Sequence, residues 1–250
     1  MYGGELIYQA SDEFGSIEVV EFDKCIRSLH FGNKTSQSVM FLYNPVALIH
    51  KYTQAMLLPL AWNAPGRVLM LGLGAGSLTK FLLHHYPDIH IDAVDIRAKV
   101  IEVAKEYFSL PDASQRFNIY YSSAEQFLKT VPRQTYDLIL VDLFLTSTSA
   151  DVTFDISHSV HQLSQYLSST GYLCINLLGN DYIKAPVINE LLKVFHLNVY
   201  AIQIDKSNTI LIASHNDINR SLMNMDYSSI ESQLGLHFKQ YTGSITKVLI

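Results

Sequence analysis

Hydrophobic positions change their period near residue 45. Before it, four short runs (ELIYQA, SIEVVEF, CIRSLHF and SVMFLY, all within residues 5–43) are rich in β-branched and aromatic residues. Turn residues separate them at Ser11-Asp12, Gly15, Asp23-Lys24 and Gly32-Asn33. This pattern predicts a small antiparallel β meander over residues 1–45, too small to stand alone and therefore packed against the rest of the chain. Asn44-Pro45 interrupts it. Apolar spacing from Val46 to Trp62 (Leu48, Ile49, Tyr52, Met56, Leu57) then predicts a helix, stopped by Ala64-Pro65-Gly66. Residues 46–66 thus read as a connecting helix, with a single larger domain over 67–250.

From Arg67 onward strand and helix periods alternate. Strands are predicted near 67–71, 89–95, 117–121, 136–142, 171–178, 196–205 and 208–214, with helices near 76–86, 97–109, 124–130, 153–169 and 183–195. The strands are nearly continuous apolar runs, such as Leu138 to Val141 and Tyr172 to Leu178, as expected when helices cover both faces of a sheet. Asp205 to Asn208 joins the last two as a hairpin turn. The fold class is therefore α/β: a doubly wound, seven-stranded, mostly parallel sheet with one antiparallel member in a terminal hairpin, preceded by the small β unit.

Ligands of such sheets sit outside the carboxyl ends of the strands, where strand order reverses. The first of those ends carries Gly72, Leu73, Gly74, Ala75 and Gly76; the second carries Asp95 and Ile96. A glycine turn lets the backbone pass under a nucleotide, and an acid about twenty residues on can accept both ribose hydroxyls. An Asp at a strand end also serves commonly as a helix cap, so Asp95 has a purely structural reading too. Asp92 lies deeper on the same strand and reads as structural. Asp142 ends the run YDLILVD at the sheet's rim, where a carboxylate can anchor an acceptor amine or take its proton; the plainer reading is again a cap. Tyr52 is a candidate pocket wall.

Composition narrows the picture. The chain is 48% hydrophobic and 16% charged with net charge −5, a well-cored globular protein without the basic patch that nucleic acid or a lipid surface demands. No apolar run approaches the roughly 18 residues needed to span a bilayer, and the N-terminus lacks the features of a signal peptide, so a cytoplasmic location is expected. Cys25 and Cys174 are lone thiols, the second a core residue. The ten histidines show no metal spacing, and no GxSxG elbow accompanies a serine.

The alternation with its terminal hairpin is the arrangement of class I S-adenosylmethionine-dependent transferases, and the motifs resemble the spermidine synthase family. The resemblance runs from the β-rich N-terminus through Tyr52-Thr53-Gln54-Ala55-Met56 into VLMLGLGAGS, then VDI, SSAEQFL, YDLILVDLF and GYLCINLLG. It implies S-adenosylmethionine or its decarboxylated form over the glycine turn, adenine near Ser123-Ala124, Gln37 touching the nucleoside, and Tyr52 and Asp142 at the catalytic end. It also implies a homodimer through the N-terminal strands. The acceptor is a small molecule left unidentified.

Departures from the family qualify this. Ala75 stands where the family's glycine-turn acid holds the aminopropyl ammonium, Leu145 replaces the second acid of strand four, and Ser123 replaces an adenine-side acid. Decarboxylated donor and diamine together bring several cations, and each unpaired buried cation costs several kcal/mol. With Asp95 assigned to ribose, only Asp142 remains for them, which favours methyl over aminopropyl transfer and a less cationic acceptor in a pocket walled by Tyr52, Leu143, Phe144 and Leu145. Met70, however, stands where many methyltransferases carry an acid for the α-ammonium. A non-catalytic nucleoside-binding or scaffold relative is the alternative. A nicotinamide-dependent oxidoreductase fits less well, because Ser77-Leu78 occupies the place of a third glycine.

Overall fold

A computed structural model of the protein describes residues 3–132, 134–143, 155–179, 181–196, 198–206, 208–218 and 225–248. Strands β1 (Glu5–Asp12), β2 (Gly15–Phe22), β3 (Ile26–His30) and β4 (Ser36–Phe41) form an antiparallel meander in sequence order. Its inner residues Ile17, Val19, Leu29 and Met40 are buried against Ala75, Val100, Val103 and Phe108 of the larger domain. The meander thus finds the second layer that its own four strands cannot supply.

The connecting segment departs from the predicted continuous helix. Only α1 (Lys51–Met56) is α-helical, followed by a 3-10 turn at Leu58–Ala61. Pro59, within that turn, lacks an N–H and disfavours α geometry in the residue before it, which confines the helix to the preceding segment.

The larger domain runs β5 (Arg67–Leu71), α2 (Ser77–His85), β6 (His90–Asp95), α3 (Ala98–Phe108), β7 (Phe117–Tyr121), α4 (Ala124–Thr130), β8 (Tyr136–Val141), α5 (Ile156–Tyr166), β9 (Leu167–Leu178), α6 (Asp181–Val194), β10 (Val199–Gln203) and β11 (Asn208–Ala213). Two short helices, α7 (Ser228–Leu234) and α8 (Lys239–Thr242), and strand β12 (Ile245–Lys247) close it. The sheet order is β12-β10-β11-β9-β8-β5-β6-β7. Strands β9, β8, β5, β6 and β7 are parallel, whereas β11 runs against β9 and β12 against β10. The sheet therefore has eight described strands, not seven, and two of them oppose the rest. The extra one, β12, is three residues long and too short to show a period.

Two other boundaries differ. The helix expected over 153–169 ends at Tyr166, and Leu167 to Thr170 belong to β9 instead. Ser168, Ser169 and Thr170 are indifferent helix formers, and the Ser168 hydroxyl donates to Asp137 on the neighbouring strand (3.1 Å). The strand expected over 196–205 is shorter, Val199–Gln203. Along β5, Val68 and Met70 join one core cluster while Leu69 and Leu71 join the other, so both faces are covered. Among the described residues no helix is long and apolar enough to cross a membrane.

Candidate functional site

The order of strands places the reversal at β5, which pairs with β6 on one side and β8 on the other. The tips of β5 and β8 meet closely. Gly72 donates to the Val94 carbonyl and Asp142 to the Leu71 carbonyl, both at 2.9 Å. A Cβ added at Gly72 (φ +91°) would lie 2.2 Å from the Asp142 carbonyl oxygen, so only glycine fits this crossing.

A cavity of about 500 Å³ opens over these tips, within the range of small-molecule sites. Gln37, Tyr52, Gly72, Leu73, Gly74, Asp95, Ile96, Ser123, Ala124 and Asp142 all line it. Ala75 and Gly76, expected among the nucleoside contacts, do not. Ala75 is fully buried against the N-terminal sheet and donates its N–H to Ser38 Oγ (3.2 Å). Gly76 (φ +70°) turns the chain into α2 beside Leu110. Both shape the turn from behind.

Asp95 organises that turn. Its Oδ2 accepts the N–H groups of Leu73 (2.9 Å) and Gly74 (3.4 Å), and its Oδ1 accepts that of Arg97 (2.9 Å). Burial raises its carboxyl above the usual carboxylate range, against the lowering effect of these bonds. Asp92 is structural, as expected: it is buried and accepts from Tyr136 Oη (2.9 Å) and Asn118 Nδ2 (2.7 Å) below the rim.

At the other end Asp142 accepts Asn176 Nδ2 (2.7 Å) and the Tyr52 hydroxyl. Burial pushes its carboxyl upward more than these donors pull it down. Tyr52 is raised well above its ordinary value, first by burial and then by the adjacent carboxylate, so it stays protonated and donates. His50 stacks on Tyr52 with ring centroids 5.5 Å apart, and burial lowers its pKa toward a neutral ring. Ser123 Oγ caps α4 by accepting the Gln126 N–H (3.1 Å), which gives its hydroxyl a structural task beside any ligand role. Leu143 lines the cavity; Phe144 and Leu145 lie outside the described residues.

Sequence reasoning missed several walls: Phe31, Arg97, His50, Asn176, Asn208 and Asp205. Arg97 follows the ribose-candidate acid by two residues. It is buried, paired with Asp12 (2.8 Å), and stacked over Phe31 at 4.3 Å, pinning the β1–β2 hairpin beside the cavity. Glu125 and Asp205 also reach the lining. Among the described residues the cavity thus has four carboxylates (Asp95, Glu125, Asp142, Asp205), more than the two counted from the sequence. Arg97 is already neutralised by Asp12.

Six buried side-chain polar atoms lack a partner among the described residues, and four of them line this cavity: Gln37 Nε2, His50 Nε2, Asn176 Oδ1 and Asn208 Oδ1. Buried polar groups are normally satisfied, so the cavity concentrates unmet hydrogen-bonding capacity. Among the described residues no group of three or more His, Cys, Asp or Glu could hold a metal ion.

The family model described as "spermine/spermidine synthase domain" matches residues 49–204. A polyamine aminopropyltransferase of Chromobacterium violaceum is 37% identical over 173 residues, covering 68% of this chain and 65% of that protein. One from Neisseria meningitidis is 31% identical over 189 residues, covering 75% and 71%. Among solved structures, human methyltransferase-like protein 13 in complex with SAH superposes with TM-score 0.66 at 24% identity, over 75% of this chain and 94% of that one. A spermidine synthase in complex with the transition-state analogue AdoDATO gives 0.75 at 14% identity, over 98% and 85%. At these identities the structural matches establish the fold.

Proposed function

The chain belongs to the spermine/spermidine synthase family, and from that premise we propose that it transfers an alkyl group from the sulfonium of an S-adenosylmethionine-type nucleoside to a small nucleophile held at Asp142. The observation that carries this is the cavity itself, with the glycine turn and Asp95 at one end and the Tyr52–Asp142–Asn176 cluster at the other. The nucleoside's ribose falls to Asp95, and the unpartnered Gln37 Nε2 supplies a donor nearby.

The chemistry is a displacement. The acceptor's lone pair forms a bond to the carbon next to sulfur, the carbon–sulfur bond breaks, and its electron pair stays on the thioether. The acceptor then carries an extra proton, for which the raised carboxyl of Asp142 is the nearest base. The rest of the rate enhancement belongs to alignment and exclusion of water.

Methyl donation is our first reading of the donor. Ala75 offers no acid for an aminopropyl ammonium, and the carboxylate of S-adenosylmethionine finds a helix N-terminus. Helix α2 starts at Ser77 with no side-chain cap and no acid in its first turn, and Ser77 and Leu78 line the cavity. Aminopropyl donation is the second reading, favoured by the relatives' names and by the two additional carboxylates, Glu125 and Asp205.

Calorimetric titration separates these readings. Preference for S-adenosylmethionine and S-adenosylhomocysteine supports methyl transfer; preference for the decarboxylated donor and methylthioadenosine reverses the donor assignment. No binding of any of them at millimolar concentration moves the protein to a non-catalytic role. A homodimer through the N-terminal sheet, with β1 at its edge, belongs to the same proposal. Light scattering that finds only monomer at high concentration ends it.

A further inference from the structure

Arg97 joins the two sheets beside the cavity. It follows Asp95 by two residues and donates its backbone N–H to that carboxylate (2.9 Å), while its side chain reaches across to the N-terminal sheet. The guanidinium donates from Nε and Nη2 to the two carboxylate oxygens of Asp12 (3.0 and 2.8 Å). Nη2 also reaches the carbonyls of Gly15 (3.0 Å) and Ser16 (3.4 Å), so one planar fork spans the β1–β2 turn. Asp12 in turn accepts the Phe14 N–H (2.9 Å), and the guanidinium lies 4.3 Å from the Phe31 ring centre and 5.9 Å from that of Phe14. Arg97, Phe14 and Phe31 all line the cavity. Arg97 is buried, whereas Glu13 and Gly15 of the turn it holds are exposed. A turn so little packed opens readily unless a side chain ties it down.

We infer that Arg97 is a positioning residue for the nucleoside: it latches the β1–β2 hairpin against the end of β6, seats Phe14 and Phe31 as a wall of the cavity, and so couples hairpin closure to nucleoside binding at Asp95. The inference rests on the nucleoside reading of the cavity. One residue serves both sides, its N–H ordering the ribose acid and its guanidinium ordering the wall. The coupling is reciprocal: whatever the closed hairpin adds to nucleoside affinity, the bound nucleoside adds to hairpin closure. Arg27 provides the contrast. It bonds Glu21 within the N-terminal sheet (2.8 Å) and the Tyr107 carbonyl of α3 (2.9 Å), and none of these three residues is among those lining the cavity.

S-adenosylhomocysteine and methylthioadenosine are the probes, titrated calorimetrically into the full chain. Arg97→Met keeps the N–H to Asp95 but removes the fork, so affinity for whichever probe binds should fall by at least about tenfold. Arg97→Lys returns the charge without the fork and should recover little of that loss. Arg27→Met loosens the same sheet away from the cavity and should leave affinity within about twofold. Amide hydrogen exchange is the second readout. Bound nucleoside should slow exchange across residues 12–16 by at least about tenfold in the wild type and by less than about twofold in Arg97→Met. A residue that only stabilised the fold would not make the hairpin respond to an occupied cavity. Equal affinities in wild type and Arg97→Met, an equal loss in Arg27→Met, or wild-type hairpin exchange indifferent to bound nucleoside overturns the inference while the nucleoside reading stands. The last of these needs no variant to fold. A wild type that binds neither probe removes the nucleoside reading and this inference with it.

Discussion

Replacing Gly72 by alanine tests whether the site depends on the backbone crossing between β5 and β8. An added Cβ would lie 2.2 Å from the Asp142 carbonyl oxygen, where real contacts stay beyond 3.0 Å, so some 0.8 Å must open (3.0 − 2.2). The neighbour is backbone and is itself tied to the adjacent strand, since the Asp142 N–H donates to Leu71. Overpacking of this kind costs about 1–3 kcal/mol, and a side chain at φ +91° adds strain of about 1–3 kcal/mol. The total is about 2–6 kcal/mol, a large share of the roughly 5–15 kcal/mol that stabilises a domain. Gly76→Ala is the control. It too has positive φ (+70°), but its Cβ would meet the flexible Leu110 Cδ1 at 2.5 Å, so it should bring the strain without the backbone clash. Urea denaturation should therefore place Gly72→Ala at least about 1 kcal/mol below Gly76→Ala. Because Asp142 moves with the clash, and misplacement by about 1 Å costs roughly a hundredfold in rate, turnover should also fall further in Gly72→Ala. Equal stabilities and equal turnover for the two variants would refute the close crossing as the organising feature.

Asp142→Asn should lower turnover by roughly 10²–10⁴ if the carboxylate takes the acceptor's proton. The wild type's activity should rise with pH through a pKa above the ordinary carboxylate range, and the variant should lose that limb. Asp95→Ala strips the acceptor from the N–H groups of Leu73, Gly74 and Arg97; S-adenosylhomocysteine affinity should fall by at least about tenfold, and an unchanged calorimetric titration would remove Asp95 from the nucleoside site. Lys80 is 4% exposed, its ammonium donates among the described residues to the Phe108 carbonyl and the Met40 sulfur, and burial lowers its pKa to about 8 from 10.5. The unfolded chain then binds more protons between those values, so native stability rises with pH across that window. The 2.5-unit gap (10.5 − 8) amounts to about 3 kcal/mol, and the wild type should gain that much on Lys80→Met between pH 7.5 and 10.5. A stability difference independent of pH would show that Lys80 is solvated.

Much of this protein is legible from hydrophobic period alone. The runs that become β5, β8 and β9 are apolar without alternation, and both faces of each are indeed covered. What failed had local causes. Pro59 cut the connecting segment into a short helix and a 3-10 turn, and three residues at Ile245–Lys247 gained a strand only by pairing with β10. Glycines mark the turn in the sequence, but not which of its residues face a ligand. Ala75 and Gly76 turn away because the N-terminal sheet and Leu110 occupy their side of the turn.

The donor and acceptor ends of the cavity differ in legibility for a physical reason. Gly72 to Gly74 and Asp95 sit at the tips of β5 and β6, which pair directly, so one βαβ unit brings them together and its spacing can be read along the chain. The acceptor end is assembled across β8, β9 and β11. Asn176 meets Asp142 from 34 residues away, and Asn208 joins them through the antiparallel register that pairs Asn208 with Leu178. A one-residue slip of β11 would turn Asn208 to the opposite face and leave the cavity without it. The one signal the sequence held was Asn176 itself, an amide inside the apolar run Tyr172 to Leu178. A polar side chain there must find a buried partner, and Asp142 satisfies only its nitrogen. Counting acids along the chain therefore undercounted the electron-rich atoms at the acceptor end. Two of them are neutral amide oxygens, and Asp205 belongs to a turn that only the sheet order brings to the cavity.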